Sequence, residues 1–132
     1  MGHINFEVFG NKDLEDNIIV IAHGLFGSSK NWRTVAKNIA TVGRLVIVVD
    51  MRNHGKSFWH IEHSYHDLAK DLKAVIDQYG KKVDLIGHSM GGKAAMTLAL
   101  ENPDCLKSLV VIDIAPVTYM HDQLKNILAM EN

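Results

Sequence analysis

Residues 84–96 read DLIGHSMGGKAAM, and they place Ser89 between two glycine-bearing turns, after an apolar run and before a helix-forming one. The segment GHSMG satisfies the pattern Gly-x-Ser-x-Gly, which forms a nucleophile elbow where a strand turns into a helix. Such a turn strains the serine backbone, and flanking glycines remove side chains that would clash there. The pattern predicts Ser89 as a nucleophile and the backbone N–H of Met90 as an oxyanion donor at a helix start.

Two other interpretations of this segment are weighed against the elbow. A glycine-rich turn before a helix can bind phosphate, and Gly87, Gly92 and Lys93 agree with the Walker spacing. Ala94 stands where that motif needs a magnesium-binding hydroxyl, so we set nucleotide binding aside. The remaining alternative is a strand-to-helix turn with an incidental serine.

Outward from this segment, apolar runs rich in β-branched residues alternate with segments of helical period, which is typical of βα units. The pattern predicts an α/β fold with a mostly parallel sheet of about five strands and helices on both faces. We expect one domain over residues 1–132. Strands are predicted at residues 4–10 (an edge), 17–22, 44–50, 82–87 and 108–114, and helices at residues 31–42, 64–80, 90–101 and 120–130.

Helix boundaries are marked most clearly around the second predicted helix. Ser64 is followed three residues later by Asp67, which places an acid where the helix dipole favours it. Gly80 supplies a stop signal at the other end. These residues predict a helix that starts at Ser64 and stops at Gly80.

Composition argues against several classes of function. The chain of 132 residues has 14 basic and 15 acidic side chains, so it offers no basic field for nucleic acid. Its single cysteine, Cys105, cannot form an internal disulfide, which fits a reducing compartment. The N-terminus lacks a signal-peptide pattern, and no apolar run approaches the roughly 18 residues of a membrane span. We expect a cytoplasmic protein without nucleic-acid or membrane partners.

Four motifs together resemble the α/β-hydrolase superfamily, in particular small esterases of the YbfF type. They are HGLFGSSKNW, DMRNHGKS, GHSMGG and DIAPV, and the resemblance runs from residue 4 to about residue 119. It implies Ser89 as nucleophile, with oxyanion N–H groups from Leu25, or else Phe26, and from Met90. It implies no cofactor. Relatives with dehalogenase or epoxide hydrolase chemistry carry an aspartate nucleophile, so the serine argues against those reactions.

The catalytic acid and base are less clear from the same resemblance. Asp113 matches an acid position of some superfamily members, whereas others place the acid one strand later; its alternative role is to cap a loop. Full members continue through a helical cap, at least two more strands and a loop with the catalytic histidine. These 132 residues contain no match to those parts, so we expect a truncated fold. His121 is a candidate surrogate base, and the alternative is a surface histidine.

The sequence contains eight histidines, and histidine is a common metal ligand, so a metal site has to be considered. His60, His63 and His66 lie close together in HIEHSYHD, but a loop that leads into a helix would splay their rings, so we predict no metal site. His23 begins the motif HGLFGSSKNW, which contains the predicted oxyanion donor Leu25, and His88 directly precedes Ser89. We expect them to make local hydrogen bonds rather than to act as bases.

The predicted function is hydrolysis of a small carboxylic ester or thioester through an acyl-serine intermediate, with reduced activity because the usual histidine is missing. The alternative is an inactive hydrolase fragment or an interaction module. The strand at residues 108–114 would be left as an apolar edge, which is a template for pairing. We therefore expect a homo-oligomer through this edge, most simply a two-fold dimer.

Overall fold

The computed structural model describes residues 3–14, 16–24 and 29–112 of the chain. Leu25, Phe26, Asp113 and His121 lie outside these residues, and so does the helix predicted at residues 120–130. The strands are β1 (Phe6–Phe9), β2 (Ile18–Ala22), β3 (Leu45–Val49), β4 (Val83–His88) and β5 (Leu106–Ile112), and the helices are α1 (Ser29–Ala40), α2 (Tyr65–Asp77) and α3 (Met90–Glu101). Two short 3₁₀ turns that the sequence pattern does not predict lie at Lys12–Leu14 and Pro103–Cys105.

The five described strands form one sheet in the order β1-β3-β2-β4-β5. β1 is an edge strand and runs antiparallel to β3, whereas the other neighbouring pairs are parallel. This topology confirms the predicted fold class and the edge position of the first strand. Because four strands run in the same direction, their carboxyl ends meet at one edge of the sheet, where α/β proteins bind ligands.

Helices cover both faces of the sheet because the strands point alternate apolar residues to opposite sides. On one face, Ile19, Ile21, Val46 and Val48 pack with Ala36 of α1. The larger core lies on the other face, where α2 and α3 cover it. Its members include Val20, Ile47, Leu85, Leu68, Leu72, Ala95 and Leu98.

Among the described strands, β5 is less buried than β2 and β3, in keeping with the apolar edge predicted at residues 108–114. β2 and β3 are buried along their whole length, whereas β5 has no fully buried residue. Its Val110 and Val111 are 51% and 41% exposed. An apolar run therefore does not show by itself that a strand is covered, because coverage also depends on which elements pack beside it.

The start of α2 follows the predicted capping pattern. Ser64 Oγ accepts a hydrogen bond from the backbone N–H of Asp67, and the Asp67 carboxylate accepts one from the backbone N–H of Ser64. This reciprocal arrangement is a capping box. The helix ends at Asp77, before the predicted stop, and Gly80 follows with a φ of 63° in the turn that leads to β4.

Candidate active site

Ser89 lies in the turn between β4 and α3 at the carboxyl edge of the sheet. Its φ is 55° and its ψ is −118°, a conformation that side-chain-bearing residues rarely adopt. Its N–H donates to the carbonyl of Ile112 at 3.2 Å, and its carbonyl accepts from the N–H of Lys93 at 3.1 Å. The surrounding backbone therefore holds the strained conformation that the sequence pattern predicts.

The two glycines of the Gly-x-Ser-x-Gly pattern are required by close backbone contacts. A Cβ atom on Gly87 would lie 2.5 Å from the carbonyl oxygen of Gly91 and 2.7 Å from Cα of Gly92. A Cβ atom on Gly91 would lie 2.6 Å from the carbonyl oxygen of His23. These distances are too short for real contacts, so α3 reaches its position above β2 only without side chains there.

The loop after β2 packs directly against this turn. A Cβ atom on Gly24 would lie 2.9 Å from Cβ of Ser89, and the carbonyl of His23 accepts from the N–H of Gly91 at 3.1 Å. The predicted oxyanion donor Leu25 is the next residue but lies outside the described residues. Met90 begins α3, so its N–H belongs to the group of donors that a helix leaves without an internal acceptor.

His23 joins the ends of β2 and β3 through both nitrogens of its ring. The backbone N–H of Met51 donates to its Nε2 at 2.9 Å, so Nδ1 carries the proton and donates to the carbonyl of Gly24 at 2.7 Å. The ring is fully buried, and this desolvation lowers the pKa of His23 to about 4. The predicted local hydrogen bonding is confirmed, and neither nitrogen is left to act as a base for Ser89.

Stability should fall in mild acid because of His23. Its pKa is about 4 in the folded chain against 6.5 ordinarily, so the unfolded chain binds the extra proton as the pH falls below 6.5. The linkage removes up to about 3 kcal/mol of unfolding free energy by pH 4. Urea unfolding at a series of pH values should show this slope, and His23→Gln, which keeps an acceptor for Met51, should lose most of it. An equal slope in His23→Gln would contradict this role, and the exposed His66→Gln serves as the matched control.

His88 directly precedes Ser89, and within the described part of the chain its ring has fewer hydrogen bonds than the ring of His23. Its ring centre lies 5.9 Å from that of Trp32, and desolvation lowers the pKa of the ring. Among the described residues, Nε2 of His88 is buried with no hydrogen-bond partner. The expected local hydrogen bond is therefore not found at this nitrogen.

The loop between β3 and α2, residues 50–64, is fixed by buried polar groups that the sequence pattern did not single out. The Asp50 carboxylate accepts from Asn5 Nδ2 at 2.8 Å and from the backbone N–H of Lys56 at 3.2 Å. The Arg52 guanidinium makes two hydrogen bonds to the Asp71 carboxylate, at 2.6 and 2.9 Å. These contacts hold the loop against the strand ends and α2, close to the turn that carries Ser89.

The three histidines of HIEHSYHD have separate partners. His60 Nδ1 accepts from the backbone N–H of Glu62, His63 contacts Asn53 and Met90, and His66 pairs with Glu101. Within residues 3–14, 16–24 and 29–112, no three histidine, cysteine or acidic side chains are grouped so that they could hold a metal ion. Over the same residues, no helix has the length and apolar character needed to cross a bilayer.

Comparison with known proteins places this chain in a family. Residues 17–131 match the family described as having the α/β hydrolase fold. A solved structure of a marine microorganism esterase superposes with a TM-score of 0.78 at 34% identity, covering 98% of this chain and 51% of that one. The chain therefore belongs to the α/β-hydrolase fold family, and the resemblance seen in its motifs is confirmed.

Curated relatives include esterases, lipases and acyltransferases. The chain is 48% identical over 101 residues to the mouse sn-1-specific diacylglycerol lipase ABHD11, a match of 75% of this chain and 33% of that protein. It is 44% identical over 110 residues to Escherichia coli esterase YbfF, covering 80% of this chain and 43% of the relative. Ethanol acetyltransferase 1 of Wickerhamomyces ciferrii is 43% identical over 108 residues, a match that covers 80% of this chain and 28% of that protein. The chain thus spans less than half the length of each of these proteins.

Proposed function

We propose that the chain is a serine hydrolase that cleaves carboxylic esters or thioesters of small molecules through an acyl-serine intermediate. The observation that carries this proposal is the strained backbone of Ser89, whose φ of 55° lies in a strand-to-helix turn packed against Gly24. Strain of this kind costs about 1–3 kcal/mol and is found mainly at functional sites. If Ser89 had no chemical role, the turn would gain no stability from a side chain at this strained position.

In the proposed reaction, Ser89 Oγ attacks the carbonyl carbon of the ester while a base accepts its proton. The oxyanion that forms is stabilised by the N–H groups of Leu25 and Met90. The bond to the alcohol or thiol then breaks, and the leaving group takes a proton. Water attacks the acyl-serine, releases the acid and restores Ser89.

The acid and base of this reaction are also proposals. We assign the acid to Asp113, directly after β5, whose last residue Ile112 accepts a hydrogen bond from the N–H of Ser89. His121 is the first candidate for the base, and a histidine of a second copy is another. Neither His23 nor His63 fills this role, because the nitrogens of both rings are engaged elsewhere.

Hydrolysis of aryl esters by the 132-residue chain tests the proposal. We expect saturable release of the aryl alcohol from short-chain esters, as an acyl-serine mechanism requires. Since acetyltransferases are among the relatives, the assay should include ethanol and measure ethyl ester as well as free acid. Acid as the main product supports hydrolysis. No reaction above the buffer rate would favour the inactive fragment or interaction module.

We also propose that β5 pairs with the same strand of a second copy. Among the described strands, β5 pairs only with β4, and its exposed Val110 and Val111 are β-branched residues suited to a further strand pair. Light scattering at micromolar concentration should give twice the chain mass. Val110→Lys should yield monomer, whereas Val42→Lys, at an exposed position in the turn after α1, should not. A stable monomer of the unmodified chain would refute the pairing.

A further inference from the structure

A chain of side-chain contacts connects the 50–64 loop with the first residue of α3. Asn53 Nδ2 lies 3.0 Å from Nδ1 of His63, and Nε2 of His63 lies 3.3 Å from the sulfur of Met90. Met90 is 6% exposed, and its backbone N–H is the proposed oxyanion donor beside Ser89. The mechanism proposed above assigns no role to His63.

The direction of these hydrogen bonds follows from the orientation of Asn53. Its Oδ1 accepts from the backbone N–H of His60 at 2.6 Å, and its Nδ2 donates to the carbonyl of His60 at 3.0 Å, so its two ends cannot be exchanged. The group that faces His63 is therefore an N–H donor. Nδ1 of His63 must accept, which leaves the proton of the neutral ring on Nε2, directed at Met90 Sδ.

The backbone of Asn53 shows that this arrangement is built into the loop. Its φ is 65°, in the left-handed region that asparagine tolerates better than most residues. On the other side, the buried Arg52 binds Asp71 of α2 and also donates to the carbonyl of Glu62, the residue before His63. The position of His63 is thus fixed by Asn53, which contacts its ring, and by Arg52, which binds the backbone of the preceding residue.

We propose that His63 is a positioning residue for Met90, whose neutral ring anchors the Met90 side chain and releases it when Nδ1 is protonated. A proton on Nδ1 would face the N–H group of Asn53, so that hydrogen bond could not persist. The ring would then leave the position in which Nε2 reaches the Met90 sulfur. The start of α3 would lose a side-chain anchor beside the oxyanion donor. This inference rests on the proposed function, because only a catalytic Ser89 gives the position of Met90 a chemical consequence.

The groups around His63 set the pH at which the release occurs. Burial lowers the pKa of His63, and the nearby charges of His54 and Arg52 lower it further. Asp71 and Asp67 on α2 oppose this shift, and α3 contributes the uncharged sulfur of Met90. The contact should therefore persist at neutral pH and be lost at a pH below the ordinary histidine value of 6.5.

The direct test is the ¹³C-methyl resonance of Met90, assigned by its loss in Met90→Leu and followed between about pH 4.5 and 8. We expect it to titrate with a midpoint below 6.5, equal to that of the His63 ring. His63→Gln, which cannot titrate, should abolish the shift, whereas His66→Gln should keep it. Asn53→Gly removes the partner of Nδ1 and tolerates the positive φ, so it should raise the midpoint. A Met90 resonance that does not titrate, or that still titrates in His63→Gln, would overturn the proposal.

The effect on Ser89 is measured by its labelling rate with a fluorophosphonate probe across the same pH range. Below the Met90 midpoint, labelling of the unmodified chain should fall about tenfold more than labelling of His63→Gln, because small displacements of catalytic groups are costly. Identical pH profiles would refute a positioning role. If Ser89 is not labelled at any pH, the proposed function fails, and the methyl titration still decides whether His63 anchors Met90.

Discussion

Replacing Ser89 with alanine should abolish ester hydrolysis and leave the unfolding free energy within about 0.5 kcal/mol of the unmodified chain. The hydroxyl is the proposed nucleophile, and loss of a serine nucleophile costs up to about a millionfold in kcat in enzymes of this type. Alanine keeps the Cβ atom and therefore the same backbone strain at φ 55°. Steady-state rates with a short-chain aryl ester and urea unfolding curves provide the two measurements.

A matched variant, Ser89→Gly, separates the chemical role from the strain. Glycine adopts a φ of 55° without steric strain, and its greater entropy in the unfolded chain offsets part of the relief, so this variant should be as inactive as Ser89→Ala but more stable by about 1 kcal/mol. Such a gain would indicate that the chain keeps a strained serine at a cost in stability. Retained hydrolysis in either variant would show that Ser89 is not the nucleophile. Equal stability of the two variants would contradict the strain.

Gly91→Ala should be the most damaging single-methyl change in the described part of the site. The new Cβ atom would meet the backbone carbonyl groups of Ala22 and His23, which belong to β2 and the loop after it. A buried strand cannot move aside as a flexible side chain can. We expect a loss of about 3 kcal/mol or more of unfolding free energy, together with displacement of α3. Urea unfolding monitored by circular dichroism measures this loss.

Gly92→Ala is the control for that change. Its Cβ atom would lie 3.0 Å from Cγ1 of Val111 and 3.1 Å from the carbonyl oxygen of Gly87, contacts that need shifts of only a few tenths of an ångström. Alanine also favours the helix by about 1 kcal/mol over glycine. The two effects offset each other, so Gly92→Ala should change stability by less than about 1 kcal/mol. A loss as large as that in Gly91→Ala would contradict the steric explanation.

The sequence predicts the strands and helices well where local patterns decide them. The apolar runs locate all five described strands within about two residues at either end, and the Ser64 and Asp67 pair locates the start of α2. The Gly-x-Ser-x-Gly pattern predicts the strained turn at Ser89 because the turn itself is local, although Gly91 is required by its contact with the distant backbone of Ala22 and His23. The edge position of β1 also follows from its sequence.

Contacts between distant segments could not be predicted in the same way. The hydrogen bond between Met51 and His23 joins residues 28 positions apart, and the Arg52–Asp71 pair and the His63–Met90 contact also depend on how loops meet after folding. A histidine in a sequence gives no indication of its tautomer or burial, so the sequence could not predict which ring nitrogens would be hydrogen-bonded. The exposure of β5, by contrast, agrees with the apolar edge that the sequence predicts at residues 108–114.

The central claim is that Ser89 is an activated nucleophile, and covalent labelling by a fluorophosphonate probe tests it most directly. Intact-mass analysis of the 132-residue chain should show one adduct, and peptide mapping should locate it at Ser89 in the segment GHSMG. Ser89→Ala should remain unlabelled under the same conditions, because among the described serines Ser89 alone has the positive φ of such a turn. An unmodified chain without an adduct, or with an adduct on another residue, would contradict the claim.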